Sequence, residues 1–152
     1  MKITEVKPIP VFYGSRNYLF VKVETDEGIY GIGEFGITRK EQAGIGAIQH
    51  MTSDLIGQDP MNTELLWQTL FRGDFFPGGR INMAAQSAID IALWDIKGKA
   101  LNQPVYMLLG GKMRDRAVCY TGIGGKTPEA KAESARGKAA EGWKYLRLSV
   151  MD

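Results

Sequence analysis

The 152-residue sequence contains one cysteine, Cys119, and one histidine, His50. A single cysteine cannot form a disulfide within the chain, and it argues against a cysteine-based zinc site. Cys119 falls in a short apolar segment, which predicts an inert thiol in the core. His50 lies late in a predicted helix with no partner ligand near it in the sequence, so nothing assigns it to a metal.

The sequence also lacks long apolar runs and an excess of charge of one sign. No apolar segment approaches the roughly 20 residues that a membrane-spanning helix needs, and the first ten residues alternate in polarity unlike a signal peptide. The 19 basic and 17 acidic residues are mixed along the chain. This pattern argues against a nucleic-acid or membrane partner. We expect a cytoplasmic protein.

The N-terminal part predicts an antiparallel sheet of about three strands. Apolar residues alternate with polar residues and prolines between Ile3 and Val11, and a second extended run begins at Tyr18. The turn at residues 26–28 precedes a further extended run at residues 29–33, as in a β-hairpin.

Three helical patterns follow the strands. The first covers residues 39–56, with Gly57 placed to end it. Thr63 is positioned to cap the second helix, and Asn82 to cap the third. The third helix has the clearest periodicity, and the alanines on its apolar face indicate close packing against a neighbour. That face carries Ala85, Ala88, Ile89, Ala92, Leu93 and Ile96.

The pattern changes after Arg116. A short apolar strand is predicted at residues 117–120 and a second strand at residues 145–150. Between them, Thr127 and Pro128 supply a capping hydroxyl and a proline at the first helical position, so a helix is expected to run to Glu141. A strand, a helix and a second strand in this order predict a βαβ unit with parallel strands.

Several segments resemble the enolase superfamily, in its mandelate racemase and muconate lactonizing enzyme branch. They are MKITEV, ETDEGIYGIGE, LIGQDP, MAAQSAIDIALWDIKGKALNQPVYMLLGG and MRDRAVCY. LIGQDP, IDIALWDIKGKALNQPV and TGIGGKTPE are most similar to the acid-sugar dehydratases of the galactonate dehydratase type. The resemblance implies an α+β capping domain over residues 1–112. It also implies that residues 113–152 begin a (β/α)7β barrel that is incomplete in this chain.

The same resemblance implies a lyase that uses Mg²⁺ and acts on a sugar acid. Members abstract a proton next to a carboxylate, the metal stabilises the enediolate, and dehydratases then lose hydroxide. The metal ligands and acid/base groups lie on later barrel strands in that family. We therefore assign no catalytic residue and no metal ligand to this chain, and we expect it to be inactive alone. The parent enzyme is expected to be a homo-oligomer.

Arg147 and Ser149 are candidate substrate-binding residues on the second barrel strand. Period-two alternation places both on one face, and an arginine there could hold a substrate carboxylate with two hydrogen bonds. A structural ion pair is the alternative. Many relatives carry Lys-x-Lys at this place, whereas this sequence reads Arg-Leu-Ser. Since serine cannot serve as the lysine base, dehydration is favoured over racemisation.

Four further candidates lie in the capping domain. By family position Thr38 is expected to face the substrate, followed by Glu34, both in a loop at residues 34–38. Arg16, in the loop at residues 13–17, could meet an anionic substrate. Phe76, beside Phe75 at the tip of a glycine-rich loop, could line the pocket or an oligomer contact.

Two glycine motifs resemble nucleotide-binding sequences but stand in the wrong context. Gly31, Gly33 and Gly36 have the dinucleotide spacing, yet they follow a hairpin instead of opening a βαβ unit. The segment at residues 124–127 ends like a P-loop but lacks its first glycine. We interpret the first as part of a mobile loop, residues 34–38, that folds over the barrel mouth, and the second as a β/α loop at the catalytic face of the barrel. Trp94 and Asp95 are interpreted as packing and a buried polar tie.

Two alternatives remain open from the sequence. The parent could be a racemase or epimerase of the same superfamily that uses a different base. The chain could instead be a non-catalytic binding or assembly module.

Overall fold

The computed structural model describes residues 1–73 and 75–149. Its chain falls into two compact units, Met1–Gly111 and Lys112–Asp152. The elements in order are β1 (Ile3–Tyr13), β2 (Arg16–Thr25), β3 (Tyr30–Phe35), α1 (Glu41–Leu55), α2 (Thr63–Arg72), α3 (Arg80–Ala100), α4 (Val105–Leu108), β4 (Thr121–Gly122), α5 (Pro128–Ala140) and β5 (Leu146–Arg147).

The first unit contains the predicted three-stranded antiparallel sheet, in the order β1-β2-β3. Tyr13 pairs with Arg16 across the first turn, and Leu19 pairs with Phe35 of β3. This register brings the β1–β2 turn and the end of β3 to the same end of the sheet. It thereby determines which loops can meet there.

The helices cover one face of the sheet. Alternate residues of β2 and β3 face them and are buried, and the predicted apolar face of α3 is buried as expected. The core includes Ile3, Val6, Leu19, Val21, Val23, Phe35, Ile48, Leu55, Leu66, Ile89, Leu93 and Ile96. Burial of these aliphatic side chains supplies the main driving force for folding this unit.

Helix α3 approaches β3 so closely that only glycine fits between them. A Cβ atom added to Gly31 would overlap the carbonyl oxygen of Ala92, and one added to Gly33 would overlap that of Ala88. Gly31 and Gly33 of the first glycine motif are therefore packing contacts between helix and sheet, whereas Gly36 has open space around it. The alanines on α3 serve the same contact, because larger side chains would hold the two elements apart.

Of the three predicted helix-end residues, two differ from the structure and the third, Gly57, agrees with it. Thr63 is the first residue of α2, where Asn62 occupies the cap position, and α3 begins at Arg80 after Gly79, two residues before Asn82. Neither helix has a side-chain cap hydrogen bond, so packing fixes their starts instead of the predicted cap residues. Helix α1 ends at Leu55, and Gly57 follows with a φ of 82°, the left-handed conformation expected after a helix.

The loop predicted at residues 34–38 begins later in the structure, because β3 continues to Phe35. Glu34 and Phe35 belong to β3, where they pair with Phe20 and Leu19. Phe35 is buried in the core, and this burial extends the strand past the glycines.

In the second unit, α5 begins as predicted. The Thr127 hydroxyl accepts a hydrogen bond from the backbone N–H of Ala130 at 3.2 Å, and Pro128 opens the helix. Strands β4 and β5 pair in parallel, with Thr121 opposite Leu146. The βαβ arrangement predicted from the sequence is confirmed.

Both strands of this unit are shorter than predicted, and the first is shifted. Residues 117–120 are outside β4, because ladder hydrogen bonds begin at the N–H of Thr121. Strand β5 covers only Leu146–Arg147, so Ser149 lies beyond it, and Val150 lies outside the described residues. The prediction of a core thiol is wrong, because Cys119 is exposed. No residue between 112 and 149 is buried, so no core encloses this thiol.

Of the helices in residues 1–73 and 75–149, none is long and apolar enough to cross a bilayer.

Candidate functional site

A polar cleft of about 540 Å³ lies at the end of the sheet where the β1–β2 turn meets the loop after β3. The antiparallel register described above brings these two segments together. The cleft is lined by Ser15, Arg16, Asn17, Thr38, Arg39 and Glu41. Two predicted site residues, Arg16 and Thr38, therefore share one cavity.

Two arginine residues, Arg16 and Arg39, line the cleft. Arg16 opens β2, and its guanidinium carbon lies 4.8 Å from the ring centroid of Tyr18, which orients the side chain by a cation–π contact. Within residues 1–73 and 75–149, neither Arg16 nor Arg39 has a carboxylate at ion-pair distance. Both charges are therefore open to an anionic ligand.

Arg39 has an unusual backbone conformation, with a φ of 62°. Its backbone N–H donates a hydrogen bond of 2.8 Å to Oε1 of Glu41, the first residue of α1. Neither Arg39 nor Glu41 is among the site residues predicted from the sequence. An arginine directly after Thr38 was visible in the sequence, but its left-handed conformation was not.

Glu34 and Phe76 do not line this cleft. Glu34 points from β3 to the exposed side of the sheet, opposite Phe20. Phe76 is 82% exposed and meets the ring of Phe75 edge to face at 5.0 Å. Their roles as substrate contacts remain predictions.

In the second unit, Arg147 contacts an aromatic side chain. Its Nη1 atom donates a hydrogen bond of 3.4 Å to the hydroxyl of Tyr120, and its Cζ lies 6.0 Å from that ring. The backbone carbonyl of Ser149 accepts a hydrogen bond from Nζ of Lys131 at 3.5 Å. Because β5 ends at Arg147, regular strand alternation does not place Ser149 on the same face.

Ser149 also lines a largely apolar cavity of about 500 Å³ against α5. The other lining residues are Ile123, Pro128, Lys131, Ala132, Ala135 and Leu148. The second glycine motif lies close to the start of this helix. A Cβ on Gly125 would meet the backbone of Ala130 and Lys131 at 2.7 and 2.6 Å, so Gly125 allows close packing, whereas Gly124 has open space around it.

A second polar pocket of about 270 Å³ lies between α2 and α3. It is lined by Thr63, Glu64, Trp67, Asp90 and Trp94. Burial raises the pKa of the Asp90 carboxyl, and the negative charge of Glu64 raises it further. This carboxyl therefore takes up a proton more readily than an exposed aspartate does.

No three histidine, cysteine or carboxylate side chains in residues 1–73 and 75–149 are grouped so that they could hold a metal ion. The described part of the chain therefore does not fit a magnesium site.

Comparison with known proteins identifies the family. Residues 4–110 match the mandelate racemase / muconate lactonizing enzyme, N-terminal domain. The chain belongs to this family. Its first unit is thus the capping domain of the enolase superfamily, and the predicted fold class is confirmed.

Members of this family with curated names include dehydratases. The chain is 40% identical over 149 residues to the D-galactonate dehydratase family member RspA of Cellvibrio japonicus, covering 97% of this chain and 37% of that protein. It is 47% identical over 130 residues to the D-galactonate dehydratase of Xanthomonas axonopodis, covering 86% and 33%. The predicted resemblance to the galactonate dehydratase type is confirmed.

A solved structure of the superfamily agrees closely with this fold. It is an enolase from Pantoea ananatis with bound D-gluconate and Mg, which superposes with a TM-score of 0.93 at 40% identity. The match covers 97% of this chain and 36% of that chain. The chain thus spans about a third of the length of these family members.

Proposed function

We propose that this chain is the N-terminal part of a Mg²⁺-dependent acid-sugar dehydratase and that its polar cleft contacts the sugar acid. The observation that carries the proposal is the cleft itself, which joins Arg16 and Thr38 at one end of a capping-domain fold. Relatives named D-galactonate dehydratase, 40–47% identical in sequence, support the reaction class.

The lining of the cleft suits a polyhydroxylated anion. A guanidinium group such as that of Arg16 binds a carboxylate through two charge-assisted hydrogen bonds. The hydroxyl groups of Ser15 and Thr38 and the amide of Asn17 can each exchange hydrogen bonds with substrate hydroxyl groups. In a binding cleft, a few convergent polar groups fix the orientation of a small ligand.

Arg147 is the proposed contact of the second unit. Its contact with Tyr120 orients the guanidinium, which can then receive a carboxylate. The hydroxyl of Ser149 cannot replace a lysine as the base that removes an α-proton. This supports dehydration over a racemisation that depends on a lysine at this position.

In this proposal the Mg²⁺ ligands are residues outside this chain. The described residues supply no metal site, while the Pantoea ananatis enolase, about three times as long as the matched region, has bound Mg and D-gluconate. A divalent cation offsets the negative charge that develops when a proton next to a carboxylate is removed. This chain's own residues bind and orient the substrate and exclude water.

We further propose that the parent protein is a cytoplasmic homo-oligomer. Phe75 and Phe76 are 90% and 82% exposed, and paired exposed aromatic side chains favour an interface. The same exposed pair also favours the alternative of a non-catalytic assembly module.

A chimera tests the proposed reaction. This chain would replace the matching N-terminal third of the Xanthomonas axonopodis D-galactonate dehydratase, and sugar acids would be assayed with Mg²⁺. We expect loss of water, giving a 2-oxo-3-deoxy acid, with no epimer formed. A folded chimera that binds Mg²⁺ but dehydrates no sugar acid would contradict the proposal, and an epimer as the product would favour the racemase alternative.

The unmodified chain provides the matched control. Calorimetry is expected to show no tight Mg²⁺ binding by this chain alone, because its described residues form no ligand cluster. Tight binding would mean that the metal site is in this chain, contrary to the proposal.

A further inference from the structure

The pocket between α2 and α3 combines two tryptophans with two acids. Thr63, Glu64 and Trp67 line it from α2, and Asp90 and Trp94 line it from α3. Residues three or four apart lie on one face of a helix, so each of the two sets presents one helix face to the pocket. The volume of about 270 Å³ is below the roughly 300 Å³ at which clefts for drug-sized ligands begin. The pocket therefore suits a compact ligand.

Neither acid of this pocket has a basic partner. Among residues 1–73 and 75–149 the Asp90 side chain makes no hydrogen bond or ion pair, and Glu64 accepts a hydrogen bond of 2.9 Å from the amide of Gln68. Burial raises the pKa of the Asp90 carboxyl, and the charge of Glu64 raises it further. A cation in the pocket would offset both the repulsion between the carboxylates and the cost of burying the Asp90 charge.

The indole rings also favour a cation over a neutral molecule, because tryptophan has the aromatic face that attracts positive charge most strongly. Trp94 already contacts one cation, since Nζ of Lys97 lies 5.2 Å from its ring centroid. That Nζ donates to the carbonyl oxygen of Met61 at 3.1 Å and makes no ion pair with either acid of the pocket. The Trp67 ring is held by stacking on Phe71, with centroids 5.0 Å apart. Both rings are thus held in place while the acids remain without a counter-ion.

We propose that this pocket binds a small organic cation, an alkylammonium or quaternary ammonium group, with Asp90 as the counter-ion and Trp67 and Trp94 as the aromatic lining. The site does not depend on the proposed dehydratase reaction. The same chemistry is present in a free amine and in a lysine side chain of a second copy of this chain. The experiments below test the site first and then separate these two sources.

The first experiment titrates the whole chain with choline and with 3,3-dimethylbutan-1-ol, the uncharged isostere of choline, at constant ionic strength. Two of the three tryptophans line the pocket, so their fluorescence reports binding, and Trp143→Phe removes the third signal. Amide NMR shifts at residues 63–67 and 90–94 locate the bound cation. We expect a saturable response to choline and none to the alcohol, because only choline carries a charge for the carboxylate and the indole faces.

Asp90→Asn is the decisive variant, since it nearly keeps the shape of the side chain and removes its charge. It should weaken choline binding about tenfold. Asp54→Asn is the matched control, because it changes the net charge equally at an exposed acid of α1 and should leave the choline affinity unchanged. Thermal unfolding of each variant shows that the compared chains are folded.

Two results would overturn the site. One is equal choline affinity of the wild-type chain and folded Asp90→Asn. The other is an equal response of residues 63–67 and 90–94 to choline and to the uncharged alcohol.

Sedimentation velocity then identifies the source of the cation. Choline binding that leaves the oligomeric state unchanged assigns the pocket to a free amine. A dimer that is dissociated by choline and by Asp90→Asn, but not by the alcohol or by Asp54→Asn, assigns it to a lysine of a second copy. A chain that does not bind choline, and whose oligomeric state is the same in Asp90→Asn as in the wild-type chain, would refute both sources.

Discussion

The Asp95 carboxylate on α3 accepts a hydrogen bond from the backbone N–H of Ile32 on β3 at 3.0 Å. The neighbouring Lys99 donates to the carbonyl oxygen of Tyr30 at 2.6 Å and pairs with Asp95 at 2.7 Å. Strand β3 is at the edge of the sheet, so these backbone groups have no partner strand. The ion pair occupies them and prevents another strand from adding there. The predicted polar tie at Asp95 is present, although its side chain is 34% exposed.

The first prediction concerns this edge. Asp95→Ala should lower the free energy of unfolding by about 1 kcal/mol, because the N–H of Ile32 loses its acceptor. Amide hydrogen exchange at Ile32 should accelerate, and the variant should self-associate at high concentration. Urea unfolding, hydrogen exchange and light scattering measure these effects. Asp95→Asn keeps an oxygen acceptor, so its stability and its exchange rate at Ile32 should lie between those of the wild-type chain and Asp95→Ala. Slow exchange at Ile32 in Asp95→Ala would show that the contact does not protect the edge.

The second prediction concerns the contact between β3 and α3. Gly33→Ala should destabilise the chain by about 3 kcal/mol or more, because the added methyl group overlaps the carbonyl oxygen of Ala88 and the helix must move away. Gly46→Ala is the matched control, since Gly46 is an exposed residue within α1 with open space around it. That change should stabilise the chain by about 0.5 to 1 kcal/mol. Similar unfolding midpoints for both variants would contradict the close packing.

The third prediction is a pH dependence from Asp90. Its pKa is raised in the folded chain by burial and then by Glu64, above about 3.9 in the unfolded chain. The folded state therefore holds the proton more tightly. The associated stability is present below the unfolded pKa and is lost as the pH rises through the folded pKa.

Asp90→Asn removes this titration and nearly keeps the shape of the side chain. It should match the wild-type chain at about pH 3 and be more stable at pH 7, because asparagine carries no charge to bury. Urea unfolding at several pH values checks this, and Glu64→Gln should reduce the dependence. If the difference in the free energy of unfolding between Asp90→Asn and the wild-type chain stayed constant with pH, Asp90 would be excluded as the source of the pH dependence.

The fourth prediction concerns the second unit. Between residues 112 and 149 no side chain is buried, so this unit has little apolar burial to resist local opening. Limited trypsin digestion should cut first at the exposed Lys112, Arg114 and Arg116 and leave a stable N-terminal piece. A chain ending at residue 111 should keep the melting transition of the whole chain. Survival of residues 112–149 under conditions that degrade the first unit would contradict this order.

The residues of the cleft show what sequence patterns can and cannot reveal. Arg16 and Thr38 were predicted separately, the first from its charge and loop position and the second from family resemblance. Their placement in one cavity depends on the pairing of Leu19 with Phe35, which sequence periodicity does not determine. Arg39 was missed because residue type alone favours a right-handed or extended backbone for arginine.

The sequence by itself determined the antiparallel strands, helices α1 to α3 and the βαβ unit in their order, the apolar face of α3, the start of α5 and the family, but not the short helix α4. These features depend on local periodicity, capping chemistry and recognisable segments, all of which are set by residues close together in the sequence. Only the tertiary structure decided that Gly31 and Gly33 serve packing, that Cys119 is exposed, and that two arginines face one cleft. Those outcomes depend on contacts between residues far apart in the chain, which arise from strand register and helix placement.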